Sequence, residues 1–244
     1  MNPVPQRRRR GRPPASESGA ALTKEKIVDA ALELIDANGL SAFSVRDVAK
    51  RLDVYHAAIL WHVATKNQLL AEVVSHVLRD LQPPLSTGPW QDWIRELFRR
   101  YRQAIRAHPN IAPLIGAEMV SNAHIDFRLI ETQLSALTSA GFTGQDLIDA
   151  FNVVTAAQVG FVTLEFAPPP PDAADQWSQD MQKRIHAVDP DEHPLLAEHI
   201  EQMANRAFTV RWQNGRDVPL DRGFDAYVET VVLGLEAIAA RSRP

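Results

Sequence analysis

An all-α fold is predicted by three features of this 244-residue chain. Apolar residues recur at helical spacing in one segment after another, the segments are bounded by capping residues and by Gly or Pro stops, and two of them are very short and joined by a tight turn. The pattern divides the chain into a small N-terminal three-helix unit and a larger helical body. Apolar residues make up 45% and charged residues 23%, the proportions of a folded globular chain long enough for a small domain on a larger one. No cysteine is present, which excludes a disulfide framework and thiolate metal sites.

Residues 1–21 hold Arg7 to Arg10, then Gly11-Arg12-Pro13-Pro14, then small and polar residues. Nothing in this arm has an apolar face to bury, so it is expected to be disordered when free. Its core around Arg12 resembles an AT-hook, in which an extended Gly-Arg-Pro segment lies in a narrow A·T-rich minor groove. A solvated basic tail is the other reading. Residues 1–80 carry 12 Lys and Arg against 9 Asp and Glu, while the rest carry 14 against 21. The basic end is where an anionic polymer is expected.

The first helix covers residues 23–38. Thr23 caps it, Ile27, Ala30, Ala31, Leu34 and Ile35 form its apolar stripe, and Gly39-Leu40 stops it, with Phe43 joining the core behind. Ser44 and Asp47 make a capping box for the second helix, whose Val45, Val48, Ala49 and Leu52 face inward. Asp53 is expected in a left-handed conformation, and Val54 plugs the turn. The third helix covers 56–63, with Ala58, Ile59 and residues 61–63 as its anchor. Thr65 and Gln68 form another capping box and open a connecting helix over 66–81, ended by Pro83-Pro84. Its Leu69, Leu70, Val73, Val74, Val77 and Leu78 face a core. The domain boundary falls inside this helix, giving 22–70 and 71–244.

Ser44 to Gln68 thus outlines a helix-turn-helix. Its last helix is too short to be stable alone. The mixed outer face of Tyr55, His56, Ala57, Leu60 and His62 suggests a helix held out to touch something, and this motif usually meets the DNA major groove. Spacing alone also allows three short amphipathic helices in an ordinary core.

The body continues with helices over 90–108, 111–120, 126–140 and 145–166. The first carries Trp93, Ile94, Leu97, Phe98, Tyr101 and Ile105 and stops at Pro109; the last is apolar nearly all round. A proline-led loop is expected from 168 to 189, with some helix near 177–185, followed by helices over 195–212 and 222–241. Arg99, Arg100, Arg102 and Arg106 read as a solvated face. The longest apolar tract, 153–164, falls short of the roughly 18 residues of a membrane span. No apolar run follows the N-terminal arginines, so no secretory signal is read and the cytoplasm is the expected location.

Residues 22–73, above all the run Ile59-Leu60-Trp61-His62-Val63-Ala64-Thr65-Lys66-Asn67-Gln68-Leu69-Leu70, resemble the DNA-binding domain of the TetR family of one-component bacterial repressors. The similarity continues through Trp90-Gln91-Asp92, Glu131-Thr132-Gln133-Leu134, Gly141-Phe142, Gly160 and Glu165. It implies that Arg46 matches a base-contacting arginine, for which a bidentate hydrogen bond to guanine O6 and N7 is the physical reason. Ser44, His62 and Lys66 match positions that touch phosphate, which fixes register without reading sequence. Tyr55, His56 and Ala57 occupy the start of the recognition helix. Leu60 replaces a tyrosine commonly used on the phosphates, and Tyr55 stands where many relatives have a capping serine. For Arg46, a local surface ion pair is the alternative.

Tetracycline-binding members of that family place a metal-binding histidine after their fifth helix, where this chain has Leu114-Ile115-Gly116-Ala117. A metal-chelated drug is therefore not expected, and no cofactor is called for. Gln133 matches a ligand-contacting glutamine, and Glu165 lies beside the position of a metal-linked acid. Asn152, Thr155, Gln158 and Thr163 are either satisfied in the core or line an effector pocket walled by Phe98, Tyr101, Phe151 and Phe161. On the last helix, Phe224, Tyr227, Val228, Val231, Leu235 and Ile238 make a stripe, and Ala156-Ala157 with Gly160 allow close approach on the long helix. These belong either to one intramolecular core or to a homodimer interface of helices 145–166 and 222–241, the arrangement that the resemblance implies.

No Gly-rich phosphate loop, GxSxG or cysteine nucleophile is present, so catalysis is not expected. The function expected is that of a homodimeric repressor on a pseudo-palindromic double-stranded operator, released by a small-molecule effector. The alternatives are an effector-independent regulator, or a helical protein-interaction module whose basic arm binds nucleic acid nonspecifically.

Overall fold

Capping and stop signals set most of the helix ends. A computed structural model describes residues 21–84, 88–115, 125–170 and 174–241. Among these residues the chain forms ten α-helices and one 3-10 turn, with no strand. Residues 1–20 of the basic arm, including Arg12, and Gly116-Ala117 lie outside the described residues.

Helices α1 (Lys24–Asn38), α2 (Val45–Arg51), α3 (His56–His62) and α4 (Lys66–Val77) form the N-terminal unit. The Thr23 hydroxyl accepts from the Lys26 N–H at 3.3 Å, and Gly39 leaves α1 with a φ of 77°. Asp53 takes the left-handed conformation expected, φ 52°, and the Val54 N–H closes the turn on the Ala49 carbonyl at 3.0 Å. The capping box at α2 is modified: the Asp47 N–H donates to Ser44 Oγ, while Ser44 Oγ itself donates to the Asp47 carboxylate. Helix α4 ends at Val77 rather than near residue 81, before the prolines are reached. The chain beyond it is latched by Arg100, whose guanidinium donates to the carbonyls of Asp80 and Gln82 at 3.4 and 3.1 Å.

The body comprises α5 (Trp90–Ala107), a 3-10 turn (Pro109–Leu114), α6 (Phe127–Ala140), α7 (Gly144–Glu165), α8 (Ala174–His186), α9 (Pro194–Met203) and α10 (Asp221–Arg241). The helix expected over 111–120 is a 3-10 turn as far as Leu114, with Pro113 inside it. Residues 116–120 lie outside the description. Within the expected proline-led loop, α8 is longer than the 177–185 stretch. The helix expected over 195–212 stops at Met203 because Asn205 adopts a φ of 56° and organises the chain that follows. Its Oδ1 accepts from the N–H groups of Trp212 and Gln213 at 3.0 and 3.1 Å, a local alternative that competes with continued helix.

Helix α7 is long and apolar enough by composition to cross a membrane, more so than its apolar tract alone suggested. Here it packs against α5, α6 and α10, and it ends on Glu165, which is fully buried. Those contacts cover only part of it: Ile148, Val153 and Leu164 remain exposed on its other side.

On α5, Glu96 binds Arg99 at 2.7 Å and Arg100 at 2.6 Å. The hydrogen bond from Arg99, then that from Arg100, lowers its pKa from the usual 4.5 to about 2, against the opposing effect of burial. A depressed folded-state pKa contributes stability that is present above the unfolded value and lost as pH falls through the folded one. Unfolding followed across pH 4.5 to about 2 is therefore expected to show a shallower acid loss in Glu96→Gln than in the native chain.

Candidate nucleic-acid interface and the body behind it

Helix α3 is anchored by Ile59, fully buried, and by Val63 just past its end. The remainder of the helix looks outward: His56, Ala57, Leu60, Trp61 and His62 are exposed, as is Tyr55 at its start. Trp61, expected in the anchor, is 91% exposed, and Tyr55 is 89% exposed. The reason is angular: Ile59 and Val63 are four residues apart and define the buried stripe, which leaves position 61 on the opposite side. An exposed tryptophan on a helix of this length has no role in the fold of the single chain.

The predicted contact residues fall into two groups. Tyr55, His56, Ala57, Leu60 and His62 share the exposed surface of α3. Arg46 is exposed on α2 and, among the described residues, has no ion pair or hydrogen-bond partner. Ser44 is engaged as the cap of α2 and is only partly exposed. Lys66 is also occupied: its ammonium donates to the Phe43 carbonyl at 2.9 Å and lies 5.5 Å from the centre of the Phe43 ring. It ties the start of α4 to the approach to α2, a structural role that the sequence did not announce.

Side chains near the end of α5 also join this unit to the body. His108 at the end of α5 meets Asp36 of α1 at 2.7 Å, and Asn110 Nδ2 donates to the carbonyls of Ile35 and Asp36 at 2.9 and 3.1 Å. The last turn of α1 is thus held by side chains from the body, Asn110 adding a second donor to the Ile35 carbonyl, which already accepts from the Gly39 N–H at 2.8 Å. Sequence reading passed over His108, Asn110 and Asp36 because a contact across more than 70 positions leaves no local trace.

In the body, Phe98, Tyr101 and Phe161 belong to one buried cluster, with Phe151 packed against it. Gln133 is buried and its Nε2 donates to the Phe151 carbonyl at 3.3 Å. Gln158 is buried too. The Tyr101 hydroxyl is buried with no hydrogen-bond partner among the described residues, and burial pushes its pKa up. Thr155 departs from the group: it is exposed, and its hydroxyl returns to the Phe151 carbonyl of its own helix at 3.0 Å.

Glu165 is already satisfied. Arg102 grips it with Nε and Nη2 at 2.8 and 2.6 Å, and the Leu220 N–H donates to Oε1 at 2.9 Å. Arg102 also reaches Asp221 at 2.9 Å and sits 4.5 Å from the Phe224 ring centre. Arg102, expected on a solvated face, is therefore a buried hub joining α5, α7 and α10. Leu114 and Ile115 are buried where the tetracycline-binding pattern places a metal-binding histidine, and among the described residues no three acidic or histidine side chains converge to hold a metal.

Of the two readings of the α10 stripe, the intramolecular one holds for most of its residues, while Ile238 stays 39% exposed. Phe224, Val228 and Leu235 are buried within the chain, and Tyr227 donates to the Ala157 carbonyl at 3.1 Å. The outward face of α10 carries Ala226, Thr230, Leu233, Gly234 and Ala237, and that of α7 carries Ile148, Asn152, Thr155 and Ala156.

A short exposed helix after a tight turn in a small helical head, carried on a larger helical body, defines a helix-turn-helix DNA-binding regulator. Residues 27–73 match the family model of bacterial regulatory proteins, tetR family, and residues 82–218 match that of the tetracyclin repressor-like C-terminal domain. The chain belongs to the tetR family of transcriptional regulators. It is similar to an HTH-type transcriptional regulator of Saccharopolyspora erythraea, with 32% identity over 62% of this chain and 64% of that protein. It is also similar to the class D tetracycline repressor protein of Escherichia coli, 25% identical over 87% of this chain and 94% of the repressor. The fold is shared with apo ActR of Streptomyces coelicolor, at a TM-score of 0.67 and 23% identity over 92% of this chain and 100% of ActR. ActR has also been solved in complex with actinorhodin.

Proposed function

We propose that this regulator acts as a homodimeric repressor, seating two α3 helices in successive major grooves of a pseudo-palindromic operator and leaving the DNA when a small molecule binds the body. The observation that carries the reading is α3 itself, a two-turn helix whose one fully buried side chain is Ile59. Tyr55, His56, Ala57, Leu60 and His62 are the surface offered to DNA, with Arg46 reading a base from α2. The exposed small and apolar faces of α7 and α10 support pairing of two copies, because Leu233 at 54% exposure is otherwise left in water. A regulator of this kind works in the cytoplasm, where its DNA is.

The effector reading draws on the core of Phe98, Tyr101, Gln133, Phe151, Gln158 and Phe161, where the Tyr101 hydroxyl lacks a partner among the described residues. It is supported by ActR, a protein of this fold solved in complex with actinorhodin. Release follows when an effector favours a body in which α4 and the His108 and Asn110 contacts hold α1 differently. A nearly complete switch needs a preference of about 10⁴ for one state.

Arg46→Ala is expected to weaken binding to a duplex selected by the native protein by about 1–3 kcal/mol, with nonspecific binding at the same salt little changed. Competition titrations check it, and full specific affinity in the variant removes Arg46 from base reading. Deleting residues 1–14 is expected to weaken operator binding and to flatten its salt dependence by about 0.9 in log-log slope for each phosphate that the arm had neutralised. An unchanged slope takes the arm out of DNA binding.

A further inference from the structure

The C-terminal end of α7, helix α8 and the segment between α9 and α10 enclose a cleft of about 490 Å³, the size of a small-molecule site. Its walls include Trp177 and Met181 of α8, with Phe208 and Trp212 from the segment. Two charged side chains line it, Glu165 and Arg211. The first has no capacity to spare, since Arg102 and the Leu220 N–H occupy its oxygens.

Arg211 is in a different position. Only 8% of it is exposed, its Nε donates to the Gln213 carbonyl at 3.1 Å, and its Nη2 donates to the Val218 carbonyl at 2.9 Å. Its Nη1 is buried without a hydrogen-bond partner among the described residues. Burial pulls the guanidinium pKa down, opposed by the charge of Glu165. The group nonetheless stays charged at working pH, and an unmatched charged donor in a nearly dry place is costly. The cost is relieved by one incoming acceptor oxygen. A single unpartnered nitrogen suits a carboxylate oxygen, whereas a phosphate asks for several donors at once. The two indoles and the phenyl ring of the walls suit a flat apolar body.

We propose that this cleft is a binding site for a small planar aromatic acid, with one carboxylate oxygen accepting from Arg211 Nη1 and the ring lying against Trp177, Phe208 and Trp212. The site adjoins the Tyr101 core, since Phe208 meets Phe161 edge-on with ring centres 5.0 Å apart, and it does not depend on the operator-binding reading, because its occupation is measured without DNA. It adjoins a joint of the fold: the Gly215 N–H donates to the Glu165 carbonyl at 2.7 Å, and Glu165 links α7 to α5 through Arg102.

The test is calorimetric titration of the full chain with naphthoate and, in parallel, with the neutral naphthylmethanol. Naphthoate is expected to bind saturably and more tightly than the alcohol. Arg211→Met is expected to weaken naphthoate about tenfold or more and to leave the alcohol unchanged, the loss of one charge-assisted hydrogen bond. Trp177→Ala is expected to weaken both probes alike and to preserve their ratio. No saturable naphthoate binding to the native chain, or an Arg211→Met variant of native melting behaviour with the original ratio, overturns the proposal. If Arg211→Met does not fold, Trp177→Ala decides: unchanged naphthoate affinity in that variant overturns the site.

Discussion

Arg102→Leu is expected to lower the free energy of unfolding by about 3–5 kcal/mol, because it strands a carboxylate inside the protein. Glu165 has no access to water, and of its three charge-assisted or polar contacts only the Leu220 N–H would remain. A loss of that size is a large share of the roughly 5–15 kcal/mol that holds a typical domain together. Asp221→Asn is the control. Its carboxylate also meets Arg102, at 2.9 Å, but its side chain is 62% exposed, so the loss should stay within about 1 kcal/mol. Urea unfolding of the two variants separates the cases. Equal, small losses would mean that water reaches Glu165 and that the joint between α5, α7 and α10 is held by packing alone.

Leu233→Glu is expected to turn the protein into a monomer and to weaken operator binding by about 10²–10⁴-fold, the advantage that linking two modest binding modules confers. Leu233 is 54% exposed in the single chain, so the substitution removes little from the fold. Around it Ala226, Thr230, Gly234 and Ala237 give a face without bulk, and a Cβ added at Gly234 or at Gly160 would meet nothing within 4 Å. A carboxylate placed at the centre of such a face meets its own symmetry mate across an isologous contact. Sedimentation of the variant, read beside its binding curve, checks both halves of the expectation. A dimer of native affinity would place the pairing surface elsewhere.

Local chemistry explains which parts of this molecule are legible in its sequence. Thr23, Ser44, Asp126 and Gly141 mark helix ends through bonds to backbone groups a few residues away, so their meaning is carried by neighbours. Asp53 in the turn is of the same kind. The exposed residues of α3 were legible from their spacing, except that Trp61 was drawn toward the core by its apolar character alone. Long-range partners are a different matter. Arg102 looked like one of four arginines on a wet face until Glu165, 63 positions away, supplied its counter-charge. Gly215 shows the same limit: a Cβ there would collide with the Glu165 side chain, a constraint set entirely by the fold. The inward turn of the α10 stripe was hidden for a related reason. Helical spacing reports that a face is apolar, and it does not report whether the same chain or a second copy covers it.

The claim on which the rest depends is that pairs of α3 helices read DNA together. Selection of bound duplexes from a random pool by the full-length chain tests it most directly. Enrichment of an inverted repeat is predicted, with half-site centres about 34 Å apart or a multiple of that distance, and the enrichment should disappear for Arg46→Ala. Recovery of an unsymmetrical single site, or of no preferred sequence, would contradict it.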